Sequence, residues 1–254
     1  MYKIYPKTLF TGQIIKYLPS CQSTNDEASD MIARSDPAEG TIIITDNQTA
    51  GRGQRGNHWE AKPNQNLTCS LILKPTFLQA TEQFWLNMAV SVGLTDTLLP
   101  LIGDTIQIKW PNDIYSGDRK LGGILIENTL HSYTLAWSVV GMGLNVNQTE
   151  FAYSTATSLQ YITPLPNGYD LPGLLSQVCE RIEQRYLQLR SGNREGLKTD
   201  YLNLLYRYQQ EHTFLSDGDR IFRGTIVGID ASGRLAIDDA GQVRYFGFKE
   251  VVFK

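Results

Sequence analysis

The residues best suited to chemistry are glycines, arginines, a lysine and short polar side chains, gathered into a few segments that could capture an anion. In "QTAGRGQRGNHWEA", residues 48–61, Gly51, Gly53 and Gly56 have the spacing G-x-G-x-x-G, with Arg52 and Arg55 between them. Glycines let a backbone approach a ligand and present its N–H groups, and a guanidinium fork matches two phosphate or carboxylate oxygens. A dinucleotide fingerprint needs a preceding strand, a helix opening at the last glycine, and an acidic residue about 20 positions on. The apolar run "TIIITD" (41–46) supplies the strand, but "NHWEAKPNQN" after Gly56 reads as irregular loop and no acid is suitably placed. The dinucleotide reading fails, leaving an anion loop of another kind or a surface loop with solvated arginines.

Three further segments share this character. In "KWPNDIY" (109–115), Pro111 restricts Trp110 to extended backbone, ending a strand and placing Asn112 and Asp113 in a turn where polar groups could meet a ligand. An Asn-Asp turn needs no ligand, however. In "RKLGGILIEN" (119–128), Lys120 precedes a Gly-Gly pair and a buried strand, where it could be a point charge for a carboxylate or phosphate. The alternative is a hairpin turning at Gly117 and Asp118 that leaves Lys120 exposed. In "VVGMGLNVNQ" (139–148), glycines interrupt an apolar strand, which marks either a bulge or a close backbone approach to a ligand.

The elements that must position these segments follow from periodicity. Residues 20–35 open as a polar turn, "STN", and continue as a helix, with Thr24 and Glu27 spaced as a capping box. Strands are expected at 41–46, 67–74, 106–110, 121–127 and 133–141, and helices at 172–190 and 194–211. Phe84, Met88 and Val92, four apart, make 82–99 a core-facing helix. From residue 212, short β-branched or aromatic runs alternate with the turn pairs Asp217-Gly218, Ser232-Gly233 and Ala240-Gly241, as in a small all-β appendage.

Composition narrows the function classes. The 254 residues carry a net charge of −3 with no basic run, which argues against a dedicated nucleic-acid or membrane-surface binder. Cys21, Cys69 and Cys179 are too few and too scattered for a disulfide framework or a CxxC metal site, and the three histidines are equally dispersed. The N-terminus lacks a signal-peptide core and no stretch reads as a membrane span, so a cytoplasmic protein is expected.

In order, "STN", "GRGQRGNHW", "KWPNDIY", "KLGGILIE" and "GMGLNVN" closely resemble the motif series of biotin–protein ligases, also called biotin–[acetyl-CoA-carboxylase] ligases. The resemblance implies an α+β fold: a mixed β-sheet catalytic domain flanked by helices over 1–211, class II synthetase-like and of the biotin/lipoate ligase type, then a small C-terminal β-barrel over 212–254. It also implies that biotin and ATP, with Mg²⁺, form biotinyl-5′-AMP and pyrophosphate. The biotinyl group then passes to one lysine of a biotin carboxyl carrier protein or domain. Lys120, Arg52 and Asp113 match the catalytic positions, with Asp113 proposed to orient or deprotonate the carrier lysine. Ser23, Thr24, Asn25, Gln48, Arg52, Gly53, Lys120, Gly123 and Gly143 match the biotin-binding positions. Gly51, Gln54, Arg55, Trp59, Asn112, Asp113 and Asn145 match those for ATP and adenylate, with Trp59 either beside the adenine or packed under the loop.

Two residues depart from the family pattern. Gln54 stands where G-R-G-R has its second arginine, and Asn57 where many members have another. Some members also carry an N-terminal helix-turn-helix, for which no room is expected before Ser23. The competing readings are a lipoate–protein ligase or octanoyltransferase, and a non-catalytic biotin sensor.

Overall fold

A computed structural model describes residues 3–216 and 220–254, apart from the side chain of Arg55. The expected turn at Asp217-Gly218 lies outside the described residues. The first sheet has seven strands: β1 (Ile15–Cys21), β2 (Ile42–Gln48), β3 (Leu67–Leu73), β4 (Ile106–Lys109), β5 (Asp113–Ser116), β6 (Arg119–His131) and β7 (Thr134–Leu144). Their spatial order is β1-β2-β3-β7-β6-β5-β4, parallel between β1 and β2 and antiparallel elsewhere. Every residue of β3 is buried, as suits a strand inside a sheet covered on both faces.

The helices are α1 (Thr24–Arg34), α2 (Gln83–Ile102), α3 (Leu159–Ile162), α4 (Leu171–Arg190) and α5 (Arg194–Asn203). Phe84, Met88 and Val92 of α2 are buried, as their spacing requires. The stretch Ala80–Thr105 is long and apolar enough to cross a membrane, contrary to the expectation that none is; in this fold it is a core helix, 72% buried in its most apolar window. A sequence window cannot separate a membrane span from a helix buried on nearly all sides.

The helix expected over 194–211 ends at Asn203. Tertiary pairing overrides helical periodicity there. Ile108 of β4, at the edge of the sheet, accepts from Tyr206 N–H at 2.9 Å and donates to the Leu204 carbonyl at 2.8 Å. Arg207 and Gln209 then take left-handed backbone (φ 61° and 56°), which no helix continues through.

Beyond this turn lies a five-stranded antiparallel sheet of β8 (Glu211–Ser216), β9 (Arg220–Ile229), β10 (Leu235–Asp239), β11 (Gln242–Phe246) and β12 (Val251–Phe253). Its order is β11-β10-β9-β8-β12, an open series among the described residues rather than a closed barrel. Phe222 stacks between Phe214 and Phe246 to form its interior. Against the first sheet, Phe248 meets Trp110 edge-on at 5.4 Å, and Trp110 Nε1 donates to the Gly233 carbonyl at 2.9 Å.

Candidate active site

A cavity of about 420 Å³ opens where the start of α1, the 51–59 loop, the β4–β5 turn and the last strand of the second sheet converge. That size is ordinary for a small-molecule site. It has a neutral end and a charged end.

The neutral end is built on the first turn of α1. Ser23 caps the helix, its hydroxyl accepting from Asp26 N–H. The expected capping box between Thr24 and Glu27 does not form, because the helix starts one residue earlier than that pattern needs. Glu27 pairs instead with Lys16 at 2.9 Å. Thr24 is thereby free to face the cavity, where its backbone N–H donates to Gln48 Oε1 at 2.9 Å. Ser70 Oγ donates to Asn25 Oδ1 at 2.6 Å and lies 2.7 Å from Thr24 Oγ1. Ser23, Thr24, Asn25 and Ser70 are all buried, so each of these bonds avoids a desolvation penalty of about 1–3 kcal/mol.

The "GMG" glycines sit opposite this network. β7 runs through them in unbroken register with β3 and β6, so no bulge explains them. A Cβ on Gly141 would lie 2.3 Å from Asn25 Oδ1, and one on Gly143 would lie 2.3 Å from Cε2 of Trp59. Close approach is their reason.

The charged end turns on Lys120, whose Nζ lies 2.7 Å from Asp113 Oδ1. The hairpin turning at Gly117-Asp118 is present, yet Lys120 lines the cavity. Tyr115 pairs with Lys120 and Ile114 with Gly122, leaving Leu121 as an extra residue in β6. That bulge resets the two-residue alternation, so Lys120 shares the cavity wall with Gly123 while Leu121 enters the core. Gly123 lies beside the ion pair, and a Cβ there would stand in ordinary contact, 3.4 Å from both Asp113 Oδ1 and Lys120 Nζ. The turn covers 110–112 and contains a cis Trp110–Pro111 bond; Asp113 opens β5 and lies outside the turn. Asn112 is buried and its amide donates to the Ile124 carbonyl, tying that turn to β6.

The glycine loop folds as a narrow flap. Gly53 N–H donates to the Asn57 carbonyl at 2.7 Å, Trp59 N–H to that of Gly51 at 3.0 Å, and a 3₁₀ turn over Gln54–Gly56 makes the tip. No helix opens at Gly56, in keeping with the failed dinucleotide pattern. Arg52 is held by two carboxylates, Asp26 at 2.5 Å and Glu127 at 3.2 Å. Trp59 packs over Gly143, with its ring centre 5.8 Å from Lys120 Nζ, and its indole N–H is buried without a partner among the described residues.

The residues singled out from the sequence line this cavity with three exceptions. Gly51 stands behind it, where the flap base crosses Gln48. Asn145 lies past the end of β7, its amide donating to the Thr157 carbonyl at 3.0 Å. The side chain of Arg55 lies outside the described residues.

Sequence reading passed over Lys109, Asp26, Glu127 and the stretch from Phe248 to Phe253. Lys109 lies 3.1 Å from the Tyr115 hydroxyl and 5.1 Å from the Phe253 ring centre. Burial pushes its pKa below the usual lysine value, while nearby Asp113 pulls the other way. Glu127 accepts from Asn25 Nδ2 at 2.6 Å and so links the flap arginine to the neutral end. Strand alternation could have found it, because Gly123, Leu125 and Glu127 share a face. Cys69 lines the cavity, and burial pushes its thiol up to about 12, so it favours the neutral thiol. Among the described residues, no three His, Cys, Asp or Glu side chains gather as a metal site.

Comparison with known proteins agrees with this arrangement. Residues 17–145 match the Biotin/lipoate A/B protein ligase family. The chain belongs to that family. Residues 213–253 match the Biotin protein ligase C terminal domain. The chain is 30% identical to the biotin–[acetyl-CoA-carboxylase] ligase of Mycobacterium tuberculosis, with 91% of this chain and 85% of the relative covered. It is 31% identical to the bifunctional ligase/repressor BirA of Bacillus subtilis, with 92% and 70% covered. In fold it is similar to the biotin protein ligase of Aquifex aeolicus in complex with biotin and ATP, with a TM-score of 0.78 at 24% identity over 95% of this chain and 99% of that one.

Proposed function

We propose that this chain is an ATP-dependent biotin–protein ligase that forms biotinyl-5′-AMP and transfers the biotinyl group to a lysine of a biotin carboxyl carrier domain. The observation that carries this reading is one cavity with a preformed neutral polar end and a lysine-centred charged end. A ureido ring offers one carbonyl acceptor and two N–H donors, which Ser23, Thr24, Asn25 and Gln48 can meet. The match of residues 213–253 to a biotin ligase C-terminal domain supports biotin over lipoate.

In the first step a biotin carboxylate oxygen attacks the α-phosphorus of ATP, and the bond to the β-phosphate bridging oxygen breaks to release pyrophosphate. Two anions must meet, so Lys120 exchanges Asp113 for the carboxylate and Arg52 closes from the flap. The Trp59 N–H, without a partner among the described residues, belongs to the lining of the same space. In the second step the carrier amine attacks the acyl carbon and AMP leaves. That amine must first lose a proton, because its ordinary pKa is about 10.4, and Asp113 is placed to orient it or accept the proton. Mg²⁺ characteristically takes one or two carboxylates plus substrate phosphates, which fits Asp113 at the charged end. Bound there, the ion would neutralise phosphate charge. We assign catalysis to residues 1–211 and closure over the nucleotide or carrier to 212–254, where the stretch from Phe248 to Phe253 lines the cavity. The three free cysteines accord with a reducing, cytoplasmic setting.

Biotin-dependent ATP–pyrophosphate exchange tests the first step. Exchange with biotin that falls steeply in Lys120→Ala supports the reading; exchange with lipoate alone, or with no acid, refutes it.

A further inference from the structure

Glu127 does not line the cavity, yet it is bonded to residues of both its ends. Gly123 and Leu125 of β6 form part of the wall, and Glu127 follows them on the same face just beyond it. Its Oε2 accepts from Asn25 Nδ2 at 2.6 Å, with the Leu125 carbonyl a longer second acceptor for that amide at 3.3 Å. The same carboxylate meets Arg52 of the flap, Oε1 lying 3.2 Å from Nη1 and Oε2 3.2 Å from Nη2.

A carboxylate paired with a guanidinium accepts hydrogen bonds and donates none, whereas an amide or a hydroxyl does both. Glu127 therefore gives direction to the groups bonded behind it. Asn25 turns Nδ2 toward the carboxylate, which leaves Oδ1 facing Ser70 Oγ at 2.6 Å. The single Ser70 hydroxyl proton goes to that oxygen, because an amide oxygen has none to give. The Thr24–Ser70 bond of 2.7 Å must then take its proton from Thr24, for which Gln48 Oε1, at 3.4 Å, is the more distant acceptor. Ser70 is fully buried, so water cannot break into the chain between Thr24 and Asn25. Thr24 Oγ1 is left with lone pairs alone to offer the cavity.

We propose that Glu127 is a specificity-determining positioning residue of the ligase reaction, orienting the hydrogen bonds from Thr24 through Ser70 and Asn25 so that the neutral end presents an acceptor to a ring N–H. This rests on the biotin reading above and states what that end selects: an acid whose ring carries an N–H donor, as a cyclic urea does. A ring or chain without a donor would leave the Thr24 oxygen buried and unpaired, the kind of mismatch that separates close analogues most strongly. Without the carboxylate, the Asn25 amide can turn over, donate to Ser70 and reverse the chain, so that Thr24 points a proton at the ring N–H instead. Arg52 shares the carboxylate, and the flap thereby reaches the network through one side chain.

The test uses the full chain with Glu127→Ala and Glu127→Gln, and measures biotin affinity by calorimetry without ATP. Glu127→Ala should weaken biotin about 10-fold, the scale of one misdirected hydrogen bond. Glu127→Gln should recover most of that loss, because its carbonyl can take the same Asn25 proton although its amide cannot pair with Arg52. In an Asn25→Ala background, Glu127→Ala should cost nothing further, whereas in an Arg52→Ala background it should cost the full factor. Those two backgrounds separate orientation of Asn25 from mere support of the flap. With isotope-labelled asparagine, the Asn25 side-chain amide protons should shift and exchange faster in Glu127→Ala, with no ligand present. Full affinity in Glu127→Ala, no recovery in Glu127→Gln, or a loss that vanishes in Arg52→Ala would overturn the proposal, as would a further loss in Asn25→Ala. If the unaltered chain does not bind biotin, the ligase reading fails instead, and the Asn25 amide signals still decide whether Glu127 orients that side chain.

Discussion

The two ends of the cavity are built on different principles. At the neutral end, Thr24, Asn25 and Ser70 are buried and bonded in one network that reaches Gln48, beside the helix cap of buried Ser23. At the charged end, Lys120 is paired with Asp113 and Arg52 with Asp26 and Glu127, on side chains that keep between a quarter and three-fifths of their exposure. Buried neutral bonds are costly to break and so hold one shape, which suits recognition of an uncharged ring. Half-exposed ion pairs are worth about 0–1 kcal/mol each, so their cations can be transferred to an anionic substrate at little cost. The difference separates reading a ligand from reacting with it.

If so, substitutions at the two ends should produce different kinds of damage. The largest effect belongs to Lys120→Ala, which should lower biotin-dependent exchange by about 10²–10³-fold while thermal unfolding barely moves. A matching loss of melting temperature would show the ion pair to be structural. Next comes Gly141→Ala, whose new methyl collides with Asn25 Oδ1 at 2.3 Å. Forcing the buried network apart should destabilise by about 1–3 kcal/mol and weaken biotin binding in calorimetry. Gly143→Ala meets first the flap tryptophan, which is partly exposed, and should leave stability nearly intact, so equal destabilisation by both would erase the proposed contrast.

Gln54 lines the cavity from the flap tip, where its family pattern has an arginine. Charged hydrogen bonds are roughly twice as strong as neutral ones, so Gln54→Arg should slow release of biotinyl-AMP. A filter-binding off-rate that does not slow removes this explanation.

The smallest effect concerns Lys109. Its folded pKa is lowered, first by burial, so between that value and the unfolded value of about 10.4 the folded state binds fewer protons. The penalty for burying its charge is present at neutral pH, and stability should rise as pH climbs through that window. Chemical denaturation of Lys109→Met across alkaline pH should show a flatter rise than the unaltered chain.

Much of this was legible in the sequence because strongly periodic segments leave little choice. The apolar run over 67–74 and the helix containing Phe84, Met88 and Val92 formed nearly where expected. What the sequence left open depends on contacts that reach beyond any window of it. Lys120 could be placed on a hairpin, but which wall it faces depends on a bulge set by pairing with β5. Asn145 follows a glycine-rich strand that lines the cavity, yet the strand ends one residue too soon for its side chain to join that wall. Lys109 and Glu127 gain their importance from neighbours far along the chain, Phe253 and Arg52, which no local pattern brings together.

The central claim is that a preformed neutral end chooses the acid and the charged end activates it. The most direct measurement offers equimolar biotin, lipoate and octanoate to the enzyme with ATP and Mg²⁺ and quantifies the acyl-adenylates formed. The structure predicts biotinyl-adenylate almost alone, with that preference retained in Gln54→Arg and eroded in Gly141→Ala. Comparable adenylation of all three acids, or a preference untouched by Gly141→Ala, would contradict it.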